Sequence, residues 1–130
     1  MTAWIFGSCA FHYDVRTGRQ WVIHAGGKRG PKETADLTDS VIYYDLTYFP
    51  LGSWRNLPNL PGIYEQMAGS SITLPTFTES VQVIIAPFVD GVERADVCVE
   101  FDSVTSSFVP CHRYTGLADF RVSKCPRNQK

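Results

Sequence analysis

The sequence predicts an all-β domain of about two repeated four-stranded antiparallel units plus one extra strand. Three observations carry that expectation. Short runs rich in Val, Ile, Tyr and Phe dominate, and no helical period emerges. Gly, Pro, Asn and Asp punctuate those runs at short intervals. Several landmarks recur in the same order further along the chain. A length of 130 residues with 44% apolar content suits a single core.

The first unit runs over about 7–57. Residues 8–14, SCAFHYD, read as a strand, and VRTG (15–18) as the turn, with Gly18 suited to positive φ. QWVIHA (20–25) is the returning strand, ending at the diglycine Gly26-Gly27. A long polar loop is expected from Lys28 to Asp39, then strands over 40–46 (SVIYYDL) and 54–57 (WRNL), closed by Pro58 and Pro61.

The second unit spans about 69–111. GSSITLP (69–75) and SVQVIIA (80–86) are its first two strands, followed by a loop holding Asp90-Gly91. ADVCVEFD (95–102) and SFVPC (107–111) form a hairpin. LADFRVSK (117–124) reads as the first strand of a third unit. Gly7-Ser8 recurs 62 residues later at Gly69-Ser70, and Ala25 recurs 61 later at Ala86. Tyr44-Asp45 recurs 57 later as Phe101-Asp102, and Trp54 recurs 54 later as Phe108. The shrinking offset fits a diverged repeat whose later loops are shorter.

Gly26-Gly27 after an apolar run, then Tyr44-Asp45, then Trp54, resembles a kelch repeat, one four-stranded propeller blade of about 50 residues. The second unit keeps the spacing but carries Ala86-Pro87, Phe101 and Phe108 at the matching positions. The resemblance implies a partial kelch-type β-propeller. Tyr44 and Trp54 are expected to fill space between twisted sheets, and Pro87 to make the second unit turn differently. Two to three blades do not close a ring of 4 to 8. The chain is therefore expected to be part of a longer protein, to close a propeller as a homo-oligomer, or to rearrange into a sandwich.

Composition excludes several classes. A net charge of −1 and a pI near 6.3 give no footprint for nucleic acid or an anionic membrane. No apolar run reaches the ~18 residues of a bilayer span, and the N-terminal segment lacks the basic region of a signal peptide. GGKRG does not fit a phosphate loop or a dinucleotide fingerprint, so the glycines read as architecture. His12, His24 and His112 read as core or rim histidines, because no third ligand is marked by spacing. No catalytic residue, metal ligand or cofactor is expected.

Four cysteines, Cys9, Cys98, Cys111 and Cys125, form no C-x-x-C pair. If 103–106 is a four-residue loop, Phe101 faces Phe108, and in the same register Cys98 faces Cys111. Opposed strand residues have Cβ atoms about 4.5–5.5 Å apart, near disulfide range. A Cys98–Cys111 disulfide is expected, with two buried thiols as the alternative. The bonded form implies an extracellular protein, the reduced form a cytoplasmic one.

The resemblance implies a non-enzymatic protein-binding module that uses its loops. The candidate contacts are Lys28, Arg29 and Lys32 in the first unit, and Asp90, Glu93 and Arg94 in the second. The alternatives are part of an enzymatic or carbohydrate-binding propeller of the galactose-oxidase-like type, and a repeat fragment without independent function.

Overall fold

The computed structural model describes residues 3–5, 7–30, 36–65, 71–89 and 91–116. In chain order the strands are β1 (Ala3–Ile5), β2 (Ser8–Asp14), β3 (Arg19–Ala25), β4 (Lys28–Gly30), β5 (Asp36–Leu37) and β6 (Val41–Asp45). They continue as β7 (Arg55–Leu57), β8 (Tyr64–Glu65), β9 (Ser71–Pro75), β10 (Ser80–Val89), β11 (Val92–Asp102) and β12 (Ser107–Pro110). The domain is all-β and its strand pairs are antiparallel.

β2, β3, β6 and β7 form a four-stranded meander in that order. Its alternation follows from period two: Ser8, His12 and Asp14 are buried, whereas Cys9, Phe11 and Tyr13 are exposed. The turn before β3 uses Gly18 at φ 73°. At the other end Gly26 and Gly27, both buried, take φ 67° and 83°, where a side chain would be strained.

β9, β10, β11 and β12 form a second meander, and β8 adds to the same edge of β10 beyond β9. Val81, Val83 and Ile85 on one face of β10, and Ile84 and Ala86 on the other, are all buried, which explains the unbroken apolar run. The hairpin register is the expected one: Phe101 pairs with Phe108 and Val99 with Pro110. Cys98 and Cys111 are joined by a disulfide, and the Cys111 N–H donates to the Cys98 carbonyl at 3.1 Å.

The two meanders stack through β2 and β10. Trp21, Ile23, Ala25 and Val41 from the first and Ile84, Ala86, Val99, Phe101 and Phe108 from the second share one core with Leu60 and Tyr64. Phe101 is the aromatic hub, with ring centroids 4.9 Å from His12, 6.4 Å from Trp21 and 5.5 Å from Phe108. Truncating such a residue costs about 3–5 kcal/mol.

Several expectations are corrected. The polar loop from Lys28 is not a loop at its start: β4 pairs with β1 and β5, a remote pairing that spacing does not reveal. Lys28 and Arg29 therefore lie in a strand, and so do Glu93 and Arg94, because β11 begins at Val92. Lys32, Asp90, Cys125 and the third-unit strand lie outside the described residues. At Pro87 the chain does not turn away; the β10–β11 register shifts between Ala86 and Phe88 and the strand runs on to Val89. Trp54 does not fill the space between the sheets but is 50% exposed. A closed ring is not seen: the described sheets are open.

Candidate metal centre

The turn ends of the two meanders meet beside β2. Asp14 and Glu79 form a backbone bridge, and the Val15 N–H donates to the Thr78 carbonyl at 2.8 Å. Ser80 fastens the same seam: its hydroxyl accepts from the Tyr13 N–H and donates to the Phe11 carbonyl. This stitching brings together two carboxylates 65 positions apart in sequence, on residues 2% and 4% exposed.

His12 lies two residues before Asp14 on the same strand, so both point to the buried face. Its Nδ1 is 2.9 Å from the Ser80 carbonyl oxygen. A carbonyl only accepts, so Nδ1 carries the proton and Nε2 keeps the lone pair. Nε2 is buried and has no hydrogen-bond partner among the described residues. Burial holds the imidazole pKa below its usual value, against the opposing pull of the Ser80 hydrogen bond and Glu79, so the neutral form is favoured. His12, Asp14 and Glu79 each offer one ligand atom, all within 4.8 Å of one another.

Guanidinium groups hold the carboxylates. Arg16 Nε and Nη2 donate to the two Asp14 oxygens, both at 3.1 Å, and Nη2 also reaches Glu79 Oε2 at 2.7 Å. The Arg16 hydrogen bond keeps the Asp14 pKa below its ordinary value. Ser103 Oγ donates to Glu79 Oε2 at 2.7 Å. Arg113 spans Glu79 Oε1 at 2.7 Å and Glu100 Oε2 at 2.6 Å. Burial of Glu100 pushes its pKa up, but Arg113 and the N–H groups of His112, Arg113 and Tyr114 outweigh that and hold it at about 2.

Asp14, Glu79 and Glu100 thus face Arg16 and Arg113, which leaves one buried carboxylate charge uncompensated by guanidinium. Arg19 stands nearby, but its described contacts are the Ser103 carbonyl, the Ser106 hydroxyl and the Trp21 ring. One buried imidazole nitrogen and two buried carboxylates make a nitrogen–oxygen donor set suited to a divalent cation. Arg16, with a side chain 50% exposed, is the movable wall of the site.

The other expected residues fall elsewhere. His24 pairs with Cys9 across β2–β3, one position out of phase with the face that carries His12. His112 is exposed, with its ring 3.8 Å from Glu100. Tyr44 and Trp54 pack edge to face at 5.8 Å on the open side of the first meander, and Asp45 caps the 3-10 turn after β6. An open cleft of about 490 Å³ at that turn is lined by Tyr43, Asp45, Tyr48, Phe49 and Arg55, and it holds none of the three clustered ligands.

Asp14 and Glu79 were not among the residues expected from the sequence. The alternation His12-x-Asp14 was a usable signal for two of the three ligands; Glu79 becomes a third only through the seam. The expectation of a non-enzymatic, protein-binding scaffold is overturned by this buried cluster, whose geometry suits metal binding and the catalytic capacity that comes with it. None of the family models, curated proteins or solved structures compared with the chain matches it.

Proposed function

We propose that this chain binds a divalent cation through His12, Asp14 and Glu79, as the metal-holding part of an enzymatic β-propeller-like domain. The observation that carries the reading is the buried His12 Nε2, a lone pair without a partner, beside two buried carboxylates. An orphaned buried acceptor is costly unless something fills the position. The Ser80 carbonyl orients the ring, as outer-shell acceptors do for ligating histidines.

The residues divide the work. Asp14 and Glu79 supply negative charge, and Ser103 and Arg113 fix the Glu79 carboxylate. Arg16 occupies the carboxylates until it swings to solvent, and its departure leaves charge for a dication and opens one side to substrate. A bound cation would supply Lewis acidity for an oxygen ligand. Imidazole with carboxylate oxygens favours zinc or manganese over soft metals.

The kelch-type blade reading belongs to this proposal. It is supported by two stacked four-stranded meanders whose aromatic pairs occupy matching positions. An extracellular setting is supported by the Cys98–Cys111 disulfide. Calorimetric titration of the full chain with zinc and with manganese tests the metal site. One equivalent should bind, and His12→Ala should lose it while still melting cooperatively. Equal binding by the wild type and His12→Ala would reject the site.

A further inference from the structure

The two meanders carry the same aromatic pair at the same place, yet only one pair is covered. Phe101 pairs directly with Phe108 across strands three and four of the second meander, with ring centroids 5.5 Å apart at 67°. In the first meander Tyr43 pairs with Arg55, which sets Tyr44 opposite Trp54 at the corresponding position. Those rings lie 5.8 Å apart at 70°. The geometry repeats, whereas the burial does not. Phe101 is 0% and Phe108 4% exposed, against 50% for Trp54.

The cover on Phe101 is known. It is the opposite face of the first meander, where His12 and Trp21 pack edgewise on the Phe101 ring. The uncovered face bears Tyr44 and Trp54 together with Phe11, Tyr13 and Val22; Phe11, Val22 and Tyr44 form one cross-strand row. Phe49 extends it by packing on Tyr44 at 6.2 Å. Such a contiguous aromatic face is a site of association.

We infer that the Phe11–Tyr44–Trp54 face docks a further antiparallel sheet whose contacting surface resembles the His12–Trp21 face of the first meander. The internal repeat supplies the argument: an equivalent pair in equivalent geometry takes an equivalent cover. A second copy of this chain does not offer that surface. Its own His12–Trp21 face is closed by Phe101, and the Val81, Val83 and Ile85 side of its second meander is already buried. The occupant is therefore a sheet from elsewhere, in the same polypeptide or in another. This inference does not depend on the metal.

The test supplies such a sheet. Residues 7–70 are duplicated and joined ahead of the full chain, so that the added copy presents a free His12–Trp21 face. Oxidative footprinting then reads Trp54 and Tyr44 of the original copy individually. Reactivity at both should fall several-fold relative to the chain alone, the thermal midpoint should rise, and Trp54→Asp in the original copy should cancel both effects. Unchanged Trp54 reactivity in the fused protein would overturn the inference. So would self-association of the unfused chain that protects Trp54, because the occupant would then be a second copy. A separate check uses the unfused chain, where Trp54→Asp should leave the melting temperature almost unchanged. A loss as large as that of Phe101→Ala would show the face already packed and overturn the inference.

Discussion

His12 Nδ1 lies 2.9 Å from the carbonyl oxygen of Ser80, across the seam between the two meanders. That contact decides which nitrogen keeps its lone pair, and it ties the ring's orientation to the packing of β2 on β10. The metal reading rests on this link between packing and chemistry.

Arg16 competes with any cation for the same oxygens. Arg16→Gln should therefore tighten zinc binding while lowering the thermal midpoint of the metal-free protein. The expected cost without metal is modest, because one partner is half-exposed. Calorimetry on the variant checks this: weaker binding would mean that Arg16 helps to build the site instead of blocking it.

Histidine burial predicts an acid-sensitive step. The His12 pKa is lowered from 6.5 in the fold, so the unfolded chain takes up the proton more readily. Stability should then be complete above about pH 6.5 and decline as the pH falls below it. Urea unfolding between pH 5 and 8 should show this slope in the wild type, and it should be reduced in His12→Asn. Identical slopes in the two proteins would count against a buried neutral imidazole.

Glu100 gives a second acid step of the same sign at lower pH. Its folded pKa is lowered from 4.5 to about 2, so its contribution is present above 4.5 and lost as the pH falls toward 2. A shift of that size corresponds to about 3 kcal/mol as an upper figure. Arg113→Ala should cost about 3–5 kcal/mol, because it strands the buried Glu79 and Glu100 carboxylates. Denaturant melts measure both; a loss under about 1 kcal/mol for Arg113→Ala would place the pair in the class of surface ion pairs.

The Cys98–Cys111 bond closes a sequence separation of 13 residues. Reduction, or Cys98→Ala with Cys111→Ala, should lower stability by about 3 kcal/mol. The β11–β12 register should survive, because Phe101 and Phe108 hold it independently. Denaturant midpoints with and without reductant read the effect, and insensitivity to reductant would show that the bond adds nothing.

Much of the strand order was legible because local grammar governs hairpins. The 103–106 turn set the pairing of Phe101 with Phe108 and placed Cys98 beside Cys111. Contacts closed at long range were not legible. Lys28 and Arg29 looked like loop charges because their partners, Ile5 and Trp4, lie more than twenty residues upstream. Glu79 gave no sign of joining His12 and Asp14, because only the stacking of two meanders brings it there. Pro87 suggested a turn, but β10 absorbs it as a shift in register.

X-ray absorption of the zinc-loaded protein tests the central claim most directly, because it reads the ligands themselves. The account predicts imidazole scattering and carboxylate oxygens in a shell at about 2.0–2.2 Å, with the imidazole signal lost in His12→Ala. A sulfur shell at about 2.3 Å, or a spectrum that His12→Ala leaves unchanged, would contradict it.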